Sequence, residues 1–152
     1  MKISYRTLFF LFIMTLLSCH LLIDESKVED NGCWVKLKEG ESIDGYTRSG
    51  NLIFGGYLDS LVYYPSMSKV DVQTFEVCVG SGYARDKKRV FYPIKITCID
   101  ATTHGGCYFE EYTVKSADPK SFKYLHDGYA IDGKKMYLDG KKIKWQEGVL
   151  KK

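Results

Sequence analysis

The sequence predicts a mainly β fold: repeated β-hairpin units with short helical turns, gathered in one sheet-rich domain. Three observations predict it. Aromatic residues make up 14% of the 152-residue chain, with 12 Tyr and 8 Phe, while Gly stands at 14 and Pro at 3. Abundant Tyr, Phe, Val and Ile between Gly turns suit pleated sheets better than helix bundles. Stretches of sequence also recur a few tens of residues apart, the mark of stacked like units. Finally, Asp-Gly and Gly-Gly pairs punctuate these stretches as hairpin signals.

In chain order, residues 1–18 come first. Lys2 and Arg6 form a positive start, and Leu8 to Leu17 is a run of ten nearly all apolar residues. That run suits a signal-peptide core and is too short to span a bilayer as a helix. It ends Leu16-Leu17-Ser18-Cys19, which resembles the bacterial lipobox. The resemblance implies cleavage after Ser18, a diacylglyceryl group on the Cys19 sulfur and a further acyl chain such as palmitate on the new amino terminus. Two or more chains hold a protein on a membrane stably, whereas one does not. Residues 19–31 are then the lipidated Cys and a polar, flexible tether. His20 is not the Asp that marks inner-membrane retention in enteric bacteria, so the expected location is the cell envelope, at the outer membrane.

The domain is expected over residues 32–152, with units near 32–69, 70–115 and 116–147. Gly82-Tyr83-Ala84-Arg85-Asp86-Lys87-Lys88-Arg89-Val90-Phe91 lies 46 residues before Gly128-Tyr129-Ala130-Ile131-Asp132-Gly133-Lys134-Lys135-Met136-Tyr137. Gly, Tyr, Ala, Asp and the second Lys coincide. A weaker copy runs from Gly45 to Phe54. The upstream flanks match too: Val70-Asp71-Val72-Gln73-Thr74-Phe75 resembles Ala117-Asp118-Pro119-Lys120-Ser121-Phe122. Asp118 is a good N-cap and Pro119 suits a first helical position. Phe122 and Leu125 are then expected three apart on a short helical turn. Asp86 and Asp132 are expected to form turns, because Asp side chains bond turn backbone. Asp139-Gly140 and Gly55-Gly56 read as hairpin turns. Tyr46, Tyr83 and Tyr129 recur as core or stacking residues, with an aromatic sugar platform as the alternative.

These residues resemble the DKNYY family of bacterial lipoproteins. The likeness is best at Gly82 to Tyr92, GYARDKKRVFY, and next best from Ala117 to Tyr137. Arg89 stands where the family's Asn would be, and Ser49 replaces the Asp in the first unit. The resemblance implies architecture and location and carries no catalytic residues.

With Cys19 reserved for lipid, Cys33, Cys78, Cys98 and Cys107 remain. Four Cys in an exported chain suggest two disulfides, with three connectivities open. A Cys98–Cys107 bridge is geometrically easy, because the flanks Ile94–Thr97 and Tyr108–Val114 look like paired strands. Cys33 would then pair with Cys78. Cys98, His104 and Cys107 offer a chemical reading as well, a metal site or a Cys–His nucleophile. Zinc wants four ligands, though, and only Asp100 is near. A catalytic Cys needs a thiolate, and exported thiols oxidise. No metal, cofactor or catalytic group is therefore expected. Glu110 and Glu111 are adjacent on a strand and point to opposite faces. His20 and His126 have no partner at a telling spacing.

Residues 93–116 form an insertion within the middle unit. Inserts on a repeat scaffold supply variable surface. Its loop, with Asp100, Thr102, Thr103 and His104, is the candidate binding loop. Net charge is +3, and without Lys2 and Arg6 it is +1. Such a near-neutral chain gives no electrostatic case for nucleic acid. The expected function is a membrane-anchored, non-catalytic binding or scaffolding module, with an envelope protein or glycan as ligand. The alternative is an inhibitor or immunity-type lipoprotein that blocks an enzyme or toxin in the envelope.

Overall fold

Three Asp-Gly pairs take left-handed backbone at both residues: Asp44-Gly45 (φ 49° and 81°), Asp127-Gly128 (47° and 80°) and Asp139-Gly140 (48° and 72°). Two consecutive positive φ values make the turn whose twist matches that of antiparallel strands. In the computed structural model, which describes residues 27–57, 65–99 and 105–151, each pair joins two strands. Asp44-Gly45 joins β2 (Ser42–Ile43) to β3 (Tyr46–Ser49). Asp127-Gly128 joins β9 (Phe122–His126) to β10 (Tyr129–Asp132), and Asp139-Gly140 joins β11 (Lys135–Leu138) to β12 (Lys141–Ile143). The chain is mainly β, as expected. The other strands are β1 (Trp34–Lys36), β4 (Leu52–Gly55), β5 (Glu76–Cys78), β6 (Ala84–Arg85), β7 (Val90–Cys98) and β8 (Cys107–Thr113).

The strands form three antiparallel sheets, ordered β2-β3-β4, β1-β5-β6-β7-β8 and β12-β11-β10-β9. The sheets stack in chain order. Alternation along each strand sends neighbouring residues to opposite faces. Val77, Ala84 and Phe91 pack with Tyr46, Ile53 and Phe109 between the first two sheets. Their neighbours Cys78, Tyr83 and Val90 pack with Phe122, Ala130 and Tyr137 between the second and third. Leu125, Ile131 and Met136 form a third cluster on the outer face of the last sheet, covered by Val28, Trp145, Val149 and Leu150. The middle sheet is therefore buried on both faces. Burying each large side chain contributes about 1.5–3 kcal/mol.

Several expectations are corrected. Phe122 and Leu125 lie on β9, not on a helical turn, and an odd spacing on a strand sends them to different clusters. The helical feature expected there is reduced to a turn over 118–121, with Lys120 N–H bonded to the Asp118 carboxylate at 3.0 Å. A short 3-10 helix, Val72–Thr74, occupies the matching place upstream. Gly55-Gly56 is not a hairpin turn. Gly55 ends β4 under the Phe109 ring, and a Cβ there would stand 2.3 Å from it.

Nor is the tether loose to residue 31. Asn31 N–H donates to the Tyr124 carbonyl at 2.9 Å, and Val28 joins the outer cluster. The Asp30 carboxylate accepts from Gly32 N–H, Trp34 Nε1–H and Tyr124 N–H at 3.0, 2.9 and 3.0 Å. This strap binds the start of the domain to its last sheet. The bond from Tyr124 to Asp30 was not legible, because its two residues lie 94 positions apart.

Cys33 and Cys78 are both free thiols, against the expected pairing. The ladder explains why. Cys78 stands opposite Trp34, so Cys33 falls opposite Val79 and its side chain takes the other face. Cys33 is exposed, while Cys78 is buried and its thiol is pushed up by burial. Of these two thiols, we expect maleimide to modify only Cys33 in the folded chain, and Cys78 only once denaturant is added. Equal native rates, read by mass, would contradict this register.

Candidate functional site

The insertion forms a long hairpin of β7 and β8. Pro93 lies within β7, and Pro cannot donate to a ladder. The register accordingly slips between Phe91↔Thr113 and Lys95↔Glu111, a bulge that accommodates it. A second slip follows between Lys95 and Ile96. Cys98 and Cys107 stand directly opposite each other and form a disulfide, as expected. Neither sulfur is then a thiolate, which removes both as nucleophile or metal ligand. Ile99 N–H donates to the Gly106 carbonyl at 2.7 Å beyond the bridge.

Next to the disulfide, at its loop end, the hairpin is fixed to the first sheet. Gly56 bridges Tyr108, Tyr57 N–H donates to the Cys107 carbonyl at 3.1 Å, and Phe109 is buried in the first core. On the sides, Lys95 Nζ lies 2.7 Å from Glu110, which also bonds Thr97, and Lys115 lies 3.4 Å from Glu111. Ile96 and Ile99 are 42% and 40% exposed. The hairpin thus offers apolar residues on a cross-linked frame. Its loop residues Asp100, Thr102, Thr103 and His104 lie outside the described residues, as does Cys19.

The recurring polar residues are engaged inside the fold. Asp86 is buried, and its carboxylate accepts from Lys88 N–H, Arg89 N–H and Asp71 N–H at 2.6, 2.7 and 2.9 Å. Asp132 is buried likewise. It accepts from Asp118 N–H at 2.9 Å, from the Ser121 hydroxyl and from Lys135 Nζ at 3.2 Å. Tyr46 Oη donates to the Gly82 carbonyl at 2.9 Å, and Tyr83 Oη to the Gly128 carbonyl at 3.0 Å. Both rings are fully buried, so neither serves as a sugar platform. Tyr129 is half-buried against His126. His126 does have partners after all: Nε2 meets the Val149 carbonyl at 2.9 Å and Nδ1 the Asp127 carboxylate at 3.2 Å.

Burial alone would raise the Asp132 pKa. The Ser121 hydroxyl, Asp118 N–H and Lys135 ammonium outweigh it and hold the carboxyl below its ordinary value. A depressed folded pKa contributes stability that is complete above the unfolded value of about 3.9 and lost as pH falls through the folded value. Urea unfolding from pH 6 down to pH 2 should therefore show Asp132→Asn weaker near neutrality but less sensitive to acid. Parallel curves for the two chains would contradict the assignment.

Two shallow grooves flank these elements. One, of about 230 Å³, is lined by Lys36, Glu76, Arg85, Lys87 and Lys120, with Arg85 stacked 3.9 Å over Trp34 and 3.2 Å from Glu76. The other, of about 290 Å³, lies between the hairpin and the last sheet, at Ile94, Glu111, Lys115, Lys141 and Lys142. Among the described residues, no three His, Cys, Asp or Glu side chains converge as a metal site would require.

The four-stranded sheet, with its Asp118–Asp132 bond and Asp-Gly turns, is where a comparison with known families finds a likeness. Residues 101–148 match the DKNYY family model. That span covers β8 and the whole last sheet, less than half of the chain. The DKNYY likeness thus includes the Ala117–Tyr137 segment and leaves out Gly82–Tyr92, where the sequence had promised the closer one. There the hairpin breaks into the motif directly after Tyr92, and Arg89 replaces the expected Asn. No curated protein and no solved structure matches the chain.

Proposed function

We propose that the chain is an envelope lipoprotein, held at the outer membrane through acyl chains on Cys19, whose three repeated units form a non-catalytic scaffold that presents the β7–β8 hairpin to an envelope protein. The observation that carries this reading is the contrast between hairpin and stack. Corresponding residues make corresponding bonds: Tyr46 to Gly82 and Tyr83 to Gly128, Asp71 to Asp86 and Asp118 to Asp132. These side chains serve the scaffold. Among the described residues, the hairpin interrupts the pattern, and it carries exposed Ile96 and Ile99 beside a cross-link.

That cross-link also favours the second reading, an inhibitor or immunity-type protein. A hairpin closed by a disulfide is ordered in advance and loses little entropy on entering a partner's cleft. The test uses the mature chain as bait against envelope extract and culture medium, beside a chain with residues 99–106 replaced by a Gly-Ser turn. A stoichiometric partner kept by the first and lost by the second supports hairpin binding. A partner enzyme or toxin that loses its activity once bound identifies the inhibitor. Equal retention by both chains refutes the hairpin. Labelling with an acyl-chain analogue, abolished by Cys19→Ser, tests the anchor separately.

A further inference from the structure

Two independent observations concern the end of the stack formed by the four-stranded sheet. The first is where the chain enters. Val28 packs in the outer cluster with Val149 and Leu150, and Asn31 bonds the β9 edge. Eight residues lie between Cys19 and Val28, and the nine Cα-to-Cα steps span a contour of at most about 32 Å. The three-stranded sheet lies two layers further on, each about 10 Å thick. The second observation is charge. Residues 117–152 hold nine Lys against five acidic residues, a net +4, whereas residues 27–116 carry −1. Lys134 and Lys144 are exposed on this layer, and Lys141 and Lys142 are exposed at its edge, beside the groove that faces the hairpin.

We infer that this basic end lies against the anionic lipid surface to which the chain is tethered, with the three-stranded sheet pointing away. The inference rests on the acyl anchor proposed at Cys19. Basic residues close to a membrane are drawn to anionic headgroups, and the attraction fades within a Debye length of about 8–10 Å. A short link keeps the four-stranded sheet in that range. Charge then selects the orientation, and the β7–β8 hairpin is carried on the layer above.

The test uses the lipidated chain in a Cys33→Ser background, reconstituted in phosphatidylcholine vesicles with about one third phosphatidylglycerol. A fluorophore is placed at Lys144→Cys or at Leu52→Cys, the latter exposed on β4. Quenching by headgroup-nitroxide lipid should be at least about threefold stronger at position 144, because such quenching acts only near contact and position 52 lies two layers of about 10 Å further from the lipid. The difference should shrink in high salt, in phosphatidylcholine alone, and in a Lys134→Glu, Lys141→Glu, Lys142→Glu chain whose near-UV spectrum is unchanged. Equal quenching at both positions in a chain of acylated mass overturns the orientation and leaves the anchor standing. A difference untouched by salt and lipid charge overturns the electrostatic cause. A chain without acyl mass that leaves the vesicles overturns the anchor, and the orientation with it.

Discussion

Tyr83→Ala should be the most damaging single change in the stack, lowering the unfolding free energy by about 3–5 kcal/mol. Typical domain stability is about 5–15 kcal/mol, so the loss is a large share. The ring is fully buried against Tyr92, Phe122 and Tyr124, with centroids 4.6, 5.2 and 6.2 Å away. Its hydroxyl donates to the Gly128 carbonyl and accepts Gly140 N–H at 2.9 Å. Burial pushes this phenol far above its ordinary pKa, so it stays a neutral donor. Tyr83→Phe keeps the ring but strands a buried N–H, which costs about 1–3 kcal/mol. Tyr137→Phe is the control. That hydroxyl is buried and finds no hydrogen-bond partner among the described residues, so its removal should be neutral or stabilising. The Tyr83 contacts join the middle and last sheets. In a stack where each layer touches only its neighbours, a weakened interface uncouples the layers. Urea unfolding of Tyr83→Ala should therefore broaden or split into two steps, with a lower m-value. A single sharp transition less than 1 kcal/mol from the parent, an allowance set by typical surface substitutions, would refute this account.

What the sequence made legible follows from how local each cause is. The Asp139-Gly140 turn depends on two adjacent residues, so the β class and strands β10 to β12 could be read directly. The Cys98–Cys107 bridge closes a short hairpin and was legible for the same reason. Phe122 and Leu125 were misread because an i, i+3 apolar pair suits one face of a helix and two faces of a strand buried on both sides. The Cys33–Cys78 pairing failed on a one-residue matter of register, which no composition or spacing reveals. Gly55 read as a turn because its need for smallness comes from Phe109, 54 residues on. Of the candidate site, the hairpin strands could be read from alternation. Their bulges, and the fixing of the hairpin's loop end to Gly56 and Tyr57, depend on distant partners.

Asp86→Ala should cost about 3–5 kcal/mol, through polar groups rather than packing, because three backbone N–H groups lose a charged acceptor worth about 1.5–3 kcal/mol each, with partial recovery by water. Two of the three, from Lys88 and Arg89, shape the turn between β6 and β7, and the third, from Asp71, ties that turn to the 3-10 segment. Asp86→Asn separates these roles. Its one carbonyl oxygen can still accept the two turn donors, while its amide must face Asp71 N–H, donor against donor. Asn should thus recover about half of the loss, leaving about 2 kcal/mol. Glu should recover less, since the extra methylene has no room at a position only 2% exposed. In contrast to Tyr83→Ala, the damage falls within one layer and its own hairpin, so unfolding should remain a single transition shifted to lower urea at an unchanged m-value. Hydrogen exchange reads the same difference residue by residue. Asp71, Lys88 and Arg89 amides should lose protection in Asp86→Ala while Gly140 keeps its own, and the reverse should hold in Tyr83→Phe. Protection lost at all four amides in either variant would mean that the two networks are one, and that the stack has no separable layers.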